Sequence, residues 1–308
     1  MKIFVPNYYK TFSCIAEKCK HSCCIGWEID IDDDTYEYYN NVSGSFGKRL
    51  KKDISVSDDC ACFKLDGKGR CMFLNNNNLC DIILNLGEDA LCQICADHPR
   101  FRNYFPDRIE MGLGICCEEA CRIILSQKEN FNLEVLSTDD EKKFDFTDEL
   151  SDFYSFRETL IELIETPSLS LDDKKEKLTT YIGYNFPEKT TCEWADIYLS
   201  FERLDDYWTI LLNDLKESNI ENIVLPKEFE LYLQNLMKYF IFRYTTKDYT
   251  DLGIILALMS ENIINRLCKM HIVKYDKITF EDLIEYSRMF SSEIEYSDEN
   301  IDELISLQ

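Results

Sequence analysis

Apolar residues recur at helical spacing through most of the second half of the chain. In "DELSDFYSFRETLIELIE", Leu150, Phe153, Phe156, Leu160, Leu163 and Ile164 mark one helical face. The runs "WADIYLSFERLDDYWTILLNDL", "FELYLQNLMKYFIFRY", "DLGIILALMSENIINRL", "FEDLIEYSRMF" and "NIDELISL" repeat the pattern. Helix breakers at Pro167, Pro187 and Pro226 divide them. Trp194, Trp208, Met237 and Met259 fall on these apolar faces and read as core rather than as a cofactor box.

The first half is patterned differently. Trp27, Ile29 and Ile31 alternate with acidic residues, which predicts a short strand, and "DDDT" then offers an N-cap to a tyrosine-rich helix. The polar stretch from Val42 to Asp59 reads as a loop. "CACFKLDGKGRCMFLNNNNLC" reads as a hairpin whose arms, "CFKL" and "CMFL", are joined by the turn "DGKG". "CDIILNLGEDALCQICADHPR" returns to helical spacing, broken at Gly87, and the run from Met111 to Gln127 begins with glycines and passes into a helix. The expectation is a mainly α protein: a cysteine-rich N-terminal part, 1–125, with a small β-hairpin, packed on an acidic all-helical part, 126–308.

Composition adds that the chain can bury a core unaided. It has 308 residues, 45% hydrophobic and 13% aromatic, so disulfides are not needed for folding. "MKIFVPNYYKTFSC" lacks the apolar run of a secretory signal, and no stretch approaches the roughly 18 apolar residues that span a bilayer. These features predict a soluble cytoplasmic protein without a membrane partner. The net charge of −24 opposes binding to nucleic acid, whose phosphates need clustered Lys and Arg. The charge is uneven: 1–125 hold 15 Lys+Arg and 19 Asp+Glu, while 126–308 hold 19 and 39. Such a surface confers solubility, and it can also steer a lysine-bearing partner.

Cysteine usage changes the picture most. Thirteen of the fifteen cysteines lie between Cys14 and Cys121; Cys192 and Cys268, in helical text, read as small buried thiols. The spacings are Cys14-x4-Cys19-x3-Cys23-Cys24, Cys60-x-Cys62, Cys71-x8-Cys80, Cys92-x2-Cys95 and Cys116-Cys117-x3-Cys121. Short spacings bring two sulfurs together at little loop-closure cost. In a reducing compartment such density points to a metal or cluster before disulfides. An all-thiolate set suits zinc and iron–sulfur alike. Cys60, Cys62, Cys117 and Cys121 stand open between ligation and packing. His21 lies within the first group and reads equally as a ligand or a solvent-facing side chain.

Several motifs fail on inspection. Position 26, which a Cys-x3-Cys-x2-Cys motif would fill with a third cysteine, is Gly26. The acidic run from Asp30 to Asn41 has Thr35 and Asn41 where a calcium loop needs Gly and Glu. No phosphate loop or dinucleotide fingerprint is present.

"CKHSCCIGWEIDIDDDTYEYY" closely resembles the opening signature of the flagellin lysine-N-methylase family: a cysteine, three residues, a cysteine pair, Gly-Trp, Ile-Asp and a Thr-Tyr helix start. "GRCMFLNNNNLCDIILNLGEDALCQICADHPRFRN" and "GICCEEAC" resemble two further blocks of that family, so the likeness covers roughly residues 8–125. The resemblance implies methyl transfer from S-adenosylmethionine to lysine side chains of flagellin, and an iron–sulfur cluster of the 4Fe–4S kind. It also implies a distant link to small cysteine-cluster proteins that chelate zinc or iron, so the alternative is a non-catalytic metal-binding protein. Carried over by position, the family cysteines fall on Cys14, Cys19, Cys23, Cys24, Cys71, Cys80, Cys95 and Cys116; Trp27, Pro99, Arg100 and Glu118 match other family positions. Two departures stand out. The proline of the family's Cys-Pro-Glu block is Cys117 here, with Cys121 additional, and Cys60 and Cys62 have no place on the pattern.

Overall fold

The computed structural model describes residues 1–57, 60–138, 148–247 and 249–307. In chain order its strands are β1 (Lys2–Pro6), β2 (Asp30–Ile31), β3 (Ile54–Val56), β4 (Ala61–Phe63), β5 (Arg100–Tyr104), β6 (Arg108–Leu113) and β7 (Leu133–Thr138). Its helices are α1 (Asp33–Asn41), α2 (Gly44–Asp53), α3 (Asp81–Leu86), α4 (Gln93–Asp97), α5 (Glu118–Leu125), α6 (Asp148–Glu165), α7 (Leu171–Ile182), α8 (Thr191–Ser200), α9 (Asp206–Glu217), α10 (Glu228–Tyr244), α11 (Leu252–Tyr275), α12 (Phe280–Phe290) and α13 (Asp298–Ile305). The protein is mainly α, with small sheets. It forms two compact units, Ser13–Phe101, and Met1–Phe12 together with Arg102–Gln308.

In the Ser13–Phe101 unit, Asp32 caps α1 as its sequence predicts, its carboxylate accepting from the Thr35 N–H at 3.0 Å. The stretch from residue 42, expected to be a loop, instead folds into α2 and β3. Phe46 and Leu50 stand one turn apart and turn inward with Gly47, while Lys48, Lys51 and Lys52 stay in water; two apolar residues among many lysines make a weak sequence signal. Residues 58–59 of that stretch lie outside the described residues. β4 runs between β2 and β3, antiparallel to both. The expected hairpin follows it: the Asp66 N–H donates to the Arg70 carbonyl at 2.8 Å and the Met72 N–H to the Lys64 carbonyl at 2.9 Å. The core of this unit is Ile29, Ile31, Tyr39, Leu50, Phe63, Phe73 and Ile82, with the thiols of Cys71 and Cys92 buried among them.

The second unit holds a sheet that the sequence pattern did not reveal, in the order β5-β6-β1-β7. β1 lies parallel to β6 and antiparallel to β7. Glu110 of β6 is wholly buried and meets two guanidinium groups, Arg157 of α6 at 2.7 Å and Arg108 at 2.8 Å. The helices follow the apolar faces read from the sequence, and Pro167, Pro187 and Pro226 fall between them. Trp194, Trp208, Met237 and Met259 are buried core residues. Gly253 of α11 packs against Thr245, where a Cβ would collide with its hydroxyl and backbone nitrogen. Among the described residues no helix is long and apolar enough to cross a membrane.

Candidate metal centre

Four short backbone devices bring cysteines together in the Ser13–Phe101 unit. The first is the turn at Cys23–Cys24. The Ile25 N–H bonds back to the Ser22 carbonyl at 3.2 Å, and Gly26 takes a φ of +94°, a region that favours glycine. The indole N–H of Trp27 donates to the Cys23 carbonyl at 2.7 Å and fixes this turn. The second is the return of the hairpin. The Cys71 N–H donates to the Cys24 carbonyl at 2.8 Å, and Ile25 pairs with Arg70, so Cys24 and Cys71 sit on stitched segments. The third is the N-cap of α3, which is Cys80; it pairs with Leu74. The fourth is the start of α4, where Cys92 is the N-cap and Cys95 lies within the first turn. Asp32 anchors that start by accepting from the Gln93 N–H at 2.8 Å.

The electrostatics of these thiols show that they share one neighbourhood. A hydrogen bond from Cys23 lowers Cys24 to about 7 against the opposing effect of burial, with help from Ser22 and the Arg70 guanidinium. Cys95 likewise hydrogen-bonds to Cys92 and lowers it, while Cys95 itself is driven up by that bond, by burial, and by the charges of Cys92, Cys24 and Cys23. Cys95 thus feels both its partner Cys92 and the Cys23–Cys24 pair. Burial raises Cys71 to about 11, and the neighbouring Cys24 and Cys80 add to that rise. Burial also raises Cys80. The Tyr39 hydroxyl, donating to the Ala90 carbonyl at 2.6 Å, is raised by burial and by Cys92, Cys95 and Cys80. Six thiols thus lie on these linked segments: Cys71 and Cys92 within the core, Cys24, Cys80 and Cys95 packed against it, and Cys23 exposed; among the described residues no three of them bring their sulfurs within 4.8 Å of one another.

Five of these six are among the eight cysteines the family resemblance carried over. Cys92 is the addition; its Cys-x2-Cys spacing with Cys95 was the signal that pointed to it. Of the other three, Cys14 accepts the Ala16 N–H at 3.4 Å and Cys19 donates to the His21 carbonyl at 3.2 Å, both in the loop before Cys23. Cys116 belongs to the other unit, where its thiol donates to the Tyr296 hydroxyl at 3.4 Å and burial raises it. Cys121 is buried in the same unit and raised by burial, as is Cys268, which is a packed thiol as expected. Cys192, expected to be buried, is exposed beside Asp196: it occupies the first turn of α8 on the side away from Trp194. Cys60 and Cys62 lie at β4 with their sulfurs 3.2 Å apart, and Cys62, beside the Asp30 carboxylate and Cys60, is pushed up to about 12. All fifteen cysteines are free thiols.

No family model matches the chain, and no solved structure matches it. Three curated proteins are similar to it. Over 127 residues, 39% of this chain, it is 26% identical to a lysine-N-methylase of Salmonella typhimurium strain LT2 and, equally, to one of Salmonella choleraesuis. The same identity and share relate it to the flagellar biosynthetic protein FliU of Salmonella muenchen, of which the match covers 75%. The match covers 32% of each lysine-N-methylase, so the chain shares with these proteins a region about a third of their length, and its curated relatives are lysine-N-methylases and a flagellar biosynthetic protein.

Proposed function

We propose that this chain acts in protein-lysine N-methylation, transferring methyl groups from S-adenosylmethionine to flagellin in the cytoplasm, and that it carries an iron–sulfur cluster in the Ser13–Phe101 unit. The similarity to two lysine-N-methylases supports the activity. The gathering of thiols from four separate stretches is the observation that supports the cluster.

The donor set fits such a group. The hydrogen-bonded pairs Cys23–Cys24 and Cys92–Cys95 offer four sulfurs to a 4Fe–4S cluster, and three of them as thiolates would hold it with one iron left open. Cys71 and Cys80 stand beside them as further ligands or as the thiol lining of the site. When bound, the cluster would supply an iron able to take the amino and carboxylate groups of S-adenosylmethionine. The chain's own residues do the rest. Arg70 favours thiolate at Cys24, Asp32 and Trp27 fix the two ligand turns, and Tyr39 with the surrounding Ile and Phe side chains keeps water from one side. The substrate amine must lose its proton, which costs about 4–5 kcal/mol at neutral pH. The acidic surface attracts the lysine-bearing partner before that step.

The test is anaerobic reconstitution of the full chain with iron and sulfide, followed by assay on flagellin with S-adenosylmethionine. The expected result is a brown protein whose iron is lost in C24S/C92S, whose spectrum shifts on adding S-adenosylmethionine, and which adds methyl groups to flagellin lysines by mass. A spectrum indifferent to S-adenosylmethionine would remove the chelating role of iron. Reversible metal uptake with no methyl transfer would instead favour a non-catalytic metal-binding protein.

A further inference from the structure

We propose that Asp30, Cys60 and Cys62 form a second metal site, built for a single thiophilic divalent cation of the zinc class. It uses none of the six thiols described above and stands whether or not the methylation reading holds. Among the described residues, these three bring their ligand atoms within 4.8 Å of one another. The sulfurs of Cys60 and Cys62 are 3.2 Å apart, and the Cys62 sulfur is 3.1 Å from Asp30 Oδ1.

Strand geometry produces this convergence. Cys60 stands one residue before β4 and Cys62 within it, and the 3.2 Å between their sulfurs puts both on one side of the chain. In the β2–β4 pair Asp30 lies directly opposite Cys62, and facing side chains of antiparallel strands start about 5 Å apart. Cys60 is fixed in turn by Ser57, whose N–H donates to the Cys60 carbonyl at 2.9 Å and whose hydroxyl accepts the Cys60 N–H at 3.3 Å. The three donors therefore meet because of backbone pairing, with little side-chain freedom left to lose on binding.

The spacing suits a metal. Two sulfurs at about 2.3 Å from a tetrahedral ion stand about 3.7 Å apart, so the thiols need part by only about half an ångström. Two thiolates and a carboxylate select a borderline-soft ion over calcium or magnesium, which take oxygen ligands. With only two thiolates the site is short of the cysteine set that holds an iron–sulfur cluster, so it suits one ion. Asp30 and Cys60 are exposed while Cys62 is buried, which leaves the fourth position on the solvent side for water. Binding exchanges two thiol protons for one dication and ties β2 to β4.

The experiment uses full-length protein, purified anaerobically, stripped of metal and titrated with zinc and with Co2+ as the spectroscopic probe. We expect the wild type to take one more zinc equivalent than C60S/C62S. That equivalent should persist in C24S/C92S, and D30N should weaken it at least about tenfold, since even outer partners of metal ligands carry 10–100-fold. Equal zinc uptake by wild type and a folded C60S/C62S, judged by circular dichroism, overturns the proposal. So does a Cys60–Cys62 disulfide found by peptide mass in the anaerobic wild type. Should C60S/C62S fail to fold, D30N decides: its carboxylate is exposed, and unchanged zinc affinity there overturns the site equally.

Discussion

Glu110 illustrates how a single residue governs the larger unit. Its carboxylate is wholly buried between Arg157 and Arg108. Buried charges stay stable only while paired, and removing one partner typically costs about 3–5 kcal/mol. Glu110→Ala leaves two guanidinium groups facing each other, so it should lower stability by about 3 kcal/mol or more in denaturant unfolding. Arg157→Met should cost less, because Arg108 still neutralises Glu110. Equal losses would show that the packing of Arg157 against the rings of Phe105 and Phe153 matters more than charge. A second residue makes the other unit sensitive to acid. Burial lowers His98 to about 4, below its ordinary 6.5, so the unfolded chain takes up the proton first. Its contribution is complete above pH 6.5 and lost as pH falls towards 4, at most about 3 kcal/mol. Thermal melts of His98→Asn against wild type should show a shallower loss across that window and no change above pH 7. Of the six gathered thiols, Cys23 and Cys24 were legible as ligand candidates from spacing, Cys71, Cys80 and Cys95 through the family resemblance, and Cys92 was missed as a ligand. Which ones converge was not legible, because that depends on the Cys24–Cys71 and Ile25–Arg70 stitches between segments far apart in sequence.

Elements were legible where their own residues state a period or a cap. Thr190 and Ser170 form capping boxes with Glu193 and Asp173 at the starts of α8 and α7. Thr190→Ala should therefore cost about 1 kcal/mol, readable as a lowered melting temperature, while Thr190→Asn should restore most of it. α2 escaped the sequence reading because only Phe46 and Leu50 mark its buried face, and a lysine-rich remainder reads as loop. The four-stranded sheet escaped for another reason. β1 finds its parallel partner, β6, about a hundred residues later, and no local pattern encodes such a pairing. Close approach between elements was equally silent. Gly253 reads as an ordinary apolar-run glycine, yet it lets α11 approach Thr245. Gly253→Ala should destabilise by about 1–3 kcal/mol through overpacking, although alanine is the better helix former. A variant as stable as wild type would mean that Thr245 yields freely.

The whole molecule divides its chemistry between units. Ser13–Phe101 holds 10 Lys+Arg and 15 Asp+Glu with ten of the fifteen cysteines; the remaining residues hold 24 and 43 with five. The smaller unit's core includes the thiols of Cys71 and Cys92. A small core interleaved with thiols draws stability from whatever those thiols bind. A ligand that binds only the folded form stabilises by mass action, about 2.7 kcal/mol at a hundredfold excess over Kd. A metal bound as proposed should therefore protect this unit against opening. In hydrogen exchange of the anaerobic protein, loading with iron and sulfide should slow the amides of α1, α4 and the hairpin at Asp66–Arg70. The slowing there should exceed that in α10 and α11, whose cores contain no gathered thiols. Chelation should reverse it, and C24S/C92S should show neither change. The zinc-class ion at Asp30, Cys60 and Cys62 should instead slow β2 and β4, and should do so in C24S/C92S as well. Uniform slowing across both units on loading would mean that metal acts on the chain as one cooperative body, and that the small core stands without it.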